Sequence, residues 1–104
     1  MEMLSNSINW FEIPVYDFDR AKLFYSMIYN YEMPDQLMGQ TRMGFFRVDK
    51  GGIGGAIVEG EGYVPSEEGT VVYLNGGKNL SVVLDRIENA GGKVVVPKTE
   101  INDD

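Results

Sequence analysis

The chain of 104 residues has no cysteine and no histidine, and its nine Lys and Arg stand against sixteen Asp and Glu, a formal net charge of −7. Without cysteine there is no disulfide scaffold, no thiol catalysis and no thiolate metal site, which agrees with a reducing interior. Without histidine the chain lacks the commonest general base near neutral pH and the commonest transition-metal ligand. So few cations leave no basic stripe to follow a phosphate backbone, so neither nucleic acid nor an acidic membrane surface is an expected partner. No apolar run reaches the length of a membrane helix, and the opening MEMLSNS lacks the basic start and apolar centre of a signal peptide. The expected location is the cytoplasm. The length suits one domain, residues 1–104.

What is present is arranged as a repeat. Residues 8–33, INWFEIPVYDFDRAKLFYSMIYNYEM, read as a strand, a helix cap and an amphipathic helix. In the strand, Phe11, Ile13 and Val15 fall on one face and Ile8, Trp10, Glu12 and Pro14 on the other, because side chains alternate with period two. Asp17 stands at the helix N-cap and Asp19 adds favourable charge in the first turn. Ala21, Phe24, Ile28 and Tyr31, with Leu23 and Met27 beside them, recur at spacings of three and four, the stripe of a helix lying on a sheet. A fainter copy starts at Thr70. VVYLNGG reads as a strand ending in a glycine turn, Asn79 as an N-cap, and Leu80, Val83, Leu84, Ile87 and Ala90 as a helical stripe. Gly91-Gly92 closes that helix, and residues 93–96 form the next strand.

Between the copies, residues 36–40, 43–48 and 53–59 read as short strands, and the polar 60–69 as a linker and mobile loop. The expected class is therefore α+β. Module one, βαβββ, spans about 8–59, and module two, about 70–101, is incomplete as βαβ. It stops one strand after its helix, at Ile101-Asn102-Asp103-Asp104. A sheet with an unpaired edge invites another chain, so a homodimer, strand- or domain-exchanged, is the expected assembly.

In residues 43–48, Phe45 and Arg47 alternate with Phe46 and Val48, and the mixed face is expected to join Trp10 and Glu12. Glu12 then reads as a general base for proton abstraction beside a carbonyl, if apolar neighbours desolvate it. The plainer alternative is a solvated carboxylate, or one paired with Arg47. Trp10, Phe45 and Tyr73 read as an aromatic clamp for a flat or apolar ligand, or else as ordinary core or a dimer contact.

IPVYDFDRAKLFY in the first module and YLNGGKNLSVVLDRIENAGGKVV in the second resemble the vicinal oxygen chelate superfamily of glyoxalase I, bleomycin-resistance proteins and extradiol dioxygenases. With GGIGGAIVEGEG ahead of the second stretch, the resemblance is to the glyoxalase-related branch of unassigned function. It implies paired βαβββ modules wrapped around a half-open cavity. It also implies a divalent metal held from the first and last strands of each module, and here the ligands are missing. Trp10 stands where the family pattern often places a His, Val71 or Val72 occupies the equivalent place in module two, and the fourth strand offers only Glu59. Glu12 and Glu59 alone would under-fill a Ca²⁺ or Mg²⁺ shell.

The expected function is thus a small-molecule-binding protein of the glyoxalase and bleomycin-resistance type, with no intrinsic metal or other cofactor. Its binding residues are Trp10, Glu12, Phe45, Arg47 and Tyr73. Arg47 anchors an anionic or carbonyl group, Glu12 accepts from a donor, and the aromatics stack. The alternatives are a divalent-metal lyase, isomerase or dioxygenase using Glu12 as ligand or base, and a non-catalytic self-assembling module.

Overall fold

The computed structural model describes residues 2–101. Its elements run β1 (Phe11–Pro14), α1 (Phe18–Tyr29), β2 (Asp35–Met38), β3 (Thr41–Phe45), β4 (Gly55–Glu59) and α2 (Leu80–Ile87). The class is α+β, with one four-stranded mixed sheet in the order β1-β4-β3-β2. β1 runs parallel to β4, while β3 pairs antiparallel with both β4 and β2. The parallel pair needs a long connection, and α1 begins it, crossing one face of the sheet.

Each helix begins where local chemistry dictates. Asp17, in extended backbone, accepts a hydrogen bond from the Arg20 N–H, and Asn79 does the same for the Ser81 N–H. Glu59, at the end of β4, takes a further orphan donor of α1, its Oε1 accepting from the Phe18 N–H at 3.0 Å. α1 ends at Asn30, whose φ of 55° puts it in the left-handed region without the help of a glycine. α2 ends at Ile87, short of the Gly91-Gly92 pair. The N–H of Gly92 still returns to the Ile87 carbonyl at 2.9 Å, closing the turns that follow.

The core lies between α1 and the sheet. Phe18, Met33 and Ile57 are fully buried, and Ile13, Val15, Ala21, Tyr25, Tyr31 and Phe46 pack against them. The expected oily face of β1 is therefore the helix-facing one, with the Phe11 ring 5.5 Å from that of Phe46. The expected stripe of α1 needs correction. Ala21 and Ile28 face inward, but Leu23 and Met27 beside them are exposed, and Phe18 and Tyr25 take inner places instead.

The second half differs more from expectation. α2 packs against α1, where the Arg86 Nη1 donates to the Ile28 carbonyl at 3.0 Å and Arg20 Nη2 to the Gly91 carbonyl at 3.3 Å. Residues 70–76 and 93–96, read as strands, lie in no ladder and have no regular structure. A strand needs a neighbour to take its N–H and C=O groups, and these segments pair with none among the described residues. In the linker 60–69, the Tyr63 N–H turns back to the Gly60 carbonyl at 3.1 Å.

Burial of phenols in this core carries a pH signature. Tyr25, whose ring meets Phe24 and Phe46 edge-on at 5.0 Å, is pushed up from its ordinary value by burial, as are Tyr29 and Tyr31. Their folded values lie above the unfolded one, so their contribution to stability is complete below pH ~10 and is lost as pH rises through the folded values. An alkaline absorbance titration is expected to show a late-ionising set of phenols. Tyr25→Phe should remove one member of it, and the helical circular dichroism should fade in the same window. Phenols that all ionise in one early step with the fold intact would contradict this.

Candidate functional site

The sheet face away from α1 is built by register. Glu12 of β1 and Phe45 of β3 both pair with Ala56 of β4, so the three form one row across three strands and point to one side. The next row is Pro14, Val58 and Met43, continued by Gln36 of β2. Ala56 has the smallest side chain of its row and is fully buried between taller neighbours. Trp10, two residues before Glu12, reaches the same side. A Cβ at Gly54 would crowd Val48 Cγ1 at 3.2 Å and rest against Trp10 Cζ3 at 3.4 Å, so the Gly54 backbone lies beside the indole.

These side chains touch. The indole Nε1 of Trp10 donates to Glu12 Oε2 at 3.3 Å, and the rings of Trp10 and Phe45 stand 6.3 Å apart at 55°. Trp10 remains 45% exposed and Glu12 is exposed, so water surrounds most of the carboxylate. Its other oxygen accepts no hydrogen bond from the described residues. Two aromatic walls and an outward carboxylate can stack a flat group and accept from a donor on it.

The other expected residues lie elsewhere. β3 ends at Phe45, so the alternation that would carry Arg47 to the Trp10 side stops before it. Arg47 instead lays its guanidinium over the Tyr31 ring, 5.3 Å from the centroid. Its backbone N–H donates to Tyr31 Oη at 3.3 Å, and that hydroxyl donates to the Phe45 carbonyl at 3.4 Å. Glu12 thus pairs with Trp10 and not with Arg47. Tyr73 is 89% exposed in the irregular 70–76 segment.

Compared with known proteins, the chain matches no family model, no curated protein and no solved structure.

The geometry also tests the residues that a divalent metal would use. Glu12 points with Ala56, whereas Glu59, three residues further along β4, points to the helix side and caps α1. The two carboxylates are on opposite faces and do not fit one ion. Among the described residues no three His, Cys, Asp or Glu side chains come together as a metal site would need. Glu59 as a cap was missed in the sequence because its partner lies 41 residues away.

Two shallow depressions are lined by none of Trp10, Glu12 and Phe45. One of about 550 Å³ is lined by residues 2–8, and one of about 560 Å³ lies over Asp19, Lys22, Ser26 and Met27 of α1. The second is bounded by ion pairs that order the surface. Lys22 Nζ meets Asp35 Oδ2 at 3.0 Å, and Arg42 Nη2 meets Asp19 Oδ1 at 2.9 Å. The hydrogen bond from Arg42 holds the Asp19 carboxyl below its ordinary value. Both pairs are exposed and act as surface struts.

Proposed function

We infer that the chain is a metal-independent small-molecule-binding protein of the glyoxalase and bleomycin-resistance type, and that Trp10, Glu12 and Phe45 form its binding surface. The observation that carries this reading is the Trp10 indole bonded to Glu12 and facing Phe45 on one side of the sheet. The fold agrees with it in part. β1-α1-β2-β3-β4 runs in the order βαβββ, and α2 is a second helix whose N-terminus is capped by a side chain, as that of α1 is. A paired-module architecture would place the 70–76 and 93–96 segments in a second sheet.

The ligand that suits these groups is a flat, apolar molecule with a cationic or N–H donor. Glu12 accepts, the rings stack, and the net charge of −7 favours a positive partner. Arg47, held on Tyr31, does not serve as an anion anchor at this surface. Chemistry on such a ligand is not assigned: Glu12 is exposed, whereas abstraction of a carbon-bound proton calls for a shielded base.

Trp10 is the only tryptophan, so its emission reports the surface directly. Titration with a panel of aromatic amines in the presence of chelator is expected to give a saturable change in Trp10 fluorescence. Glu12→Gln should weaken it about tenfold, the difference between a charge-assisted and a neutral hydrogen bond. Indifference to the whole panel would overturn the reading. Binding that appears only with an added divalent metal would favour the metal-dependent lyase, isomerase or dioxygenase instead.

A further inference from the structure

Of the asparagines in the chain, Asn75 alone is followed by a glycine, and the two sit in the irregular segment ahead of α2. Glycine has no Cβ to keep its backbone nitrogen from the side chain before it, and its dihedrals are the freest of any residue. Asn75 is exposed and Gly76 half-buried. The Asn75 Oδ1 accepts from the Gly77 N–H at 2.8 Å, a bond that folds the side-chain amide back over the Gly76 peptide. The Gly76 N–H itself donates to no group among the described residues.

The other described asparagines lack one part or another of this arrangement. Asn79 makes the same kind of bond, its Oδ1 accepting from the Ser81 N–H at 3.1 Å, but the nitrogen beside it belongs to Leu80, the first residue of α2. At Asn30 the following N–H, that of Tyr31, is held by the Ser26 carbonyl at 3.0 Å, and at Asn89 that of Ala90 is held by the Arg86 carbonyl at 3.1 Å. Asn6 and Asn9 are exposed, but Ser7 and Trp10 follow them, each with a Cβ beside the nitrogen.

We propose that Asn75 is a self-modification site, where the Gly76 nitrogen displaces the Asn75 side-chain amide as ammonia. Hydroxide removes the Gly76 amide proton, and the nitrogen forms a bond to the Asn75 Cγ. Negative charge passes to Oδ1, where the Gly77 N–H already stands as a donor. Breakage of the Cγ–Nδ2 bond, with a proton taken from water, releases ammonia and leaves a succinimide. Water then opens the ring at either carbonyl, giving aspartate by one route and isoaspartate by the other, with no oxidant or reductant involved. Each product adds one negative charge to the net −7. The isoaspartyl form also lengthens the main chain by a methylene at the turn where Gly76 lies against Leu80 of α2. This chemistry is independent of the ligand surface at Trp10, Glu12 and Phe45, so either reading can fail alone.

The test is incubation of the folded 104-residue chain in mildly alkaline buffer, followed by tryptic digestion and mass spectrometry. The tryptic peptide 51–78 holds Asn75 as its only side-chain amide, and cleavage after Lys78 separates it from Asn79. The expected result is the mass gain of amide to acid in that peptide ahead of every other, faster as pH rises, with isoaspartate counted by enzymatic methyl transfer. Gly76→Ala should slow the reaction by about tenfold or more, since its Cβ restricts the backbone at the attacking nitrogen. That Cβ would crowd only the Leu80 Cδ1, at 2.6 Å, the end of a side chain 39% exposed and able to turn aside. Asn75→Gln, whose longer side chain must close a larger ring, should leave the peptide unmodified over the same period. Asn75 intact while Asn6 reacts, a gain spread evenly over the asparagines, or a rate indifferent to Gly76→Ala would overturn the proposal.

Discussion

Phe18→Ala lowers the unfolding free energy by about 3–5 kcal/mol, the range for deleting a fully buried aromatic side chain. Set against a total of about 5–15 kcal/mol for a domain, that leaves little. Phe18 is 1% exposed and opens α1 against Met33 and Ile57, both fully buried. Two strands converge on it. Its N–H is held by Glu59 of β4, and the Arg42 guanidinium of β3 lies 4.2 Å from its ring centroid while reaching Asp19 of α1. Truncation removes the body on which these contacts rest, and a core with so few fully buried side chains has no neighbour to fill the gap. Urea unfolding should show a lower midpoint with the slope unchanged, since the surface exposed on unfolding is nearly the same. Leu23→Ala, on the exposed side of the same helix, should shift stability by less than about 0.5 kcal/mol. Equal effects of the two substitutions would mean that the core is not centred on Phe18.

What could be read from the sequence was local. Asp17 and Asn79 were legible as caps because a side chain that bonds the N–H two or three residues on needs no tertiary structure. Glu12 and Phe45 were legible as sharing a face because period two holds within a strand, and the indole of Trp10 falls in with them. Arg47 was misplaced for the same reason in reverse: it stands two residues past the end of β3, where the period no longer applies. Phe18 gave no signal, since the residue after a cap reads as the polar start of a helix until the sheet beneath it is known. Glu59 and Asn30 show the same limit, one a cap supplied from β4 and the other a left-handed helix end without glycine. The segments 70–76 and 93–96 show it most plainly. Their residues favour strands, but strand formation depends on a second backbone, and the described residues offer them none.

Gly55→Ala is the substitution for which intrinsic preference and packing give opposite signs. Glycine within a strand is less favourable than alanine by roughly 0.5–1 kcal/mol, so propensity alone forecasts a gain. Gly55 is the first residue of β4 and pairs with Phe11 of β1, whose ring lies across it. A methyl group there would run into three atoms of that ring, Cε1, Cδ1 and Cζ. The ring cannot swing freely, because it packs against Phe46, which in turn meets Tyr25 and Tyr29. Overpacking of this kind costs about 1–3 kcal/mol, enough to outweigh the propensity gain and leave the variant less stable. The cause can be isolated with Phe11→Ala. In that background the added methyl group has room, so Gly55→Ala should become neutral or stabilising, a coupling of more than about 1 kcal/mol between the two sites. Additive effects of the two substitutions would show that the ring does not hold position 55 to glycine and that the β1–β4 register is looser than the pairing of Phe11 with Gly55 implies.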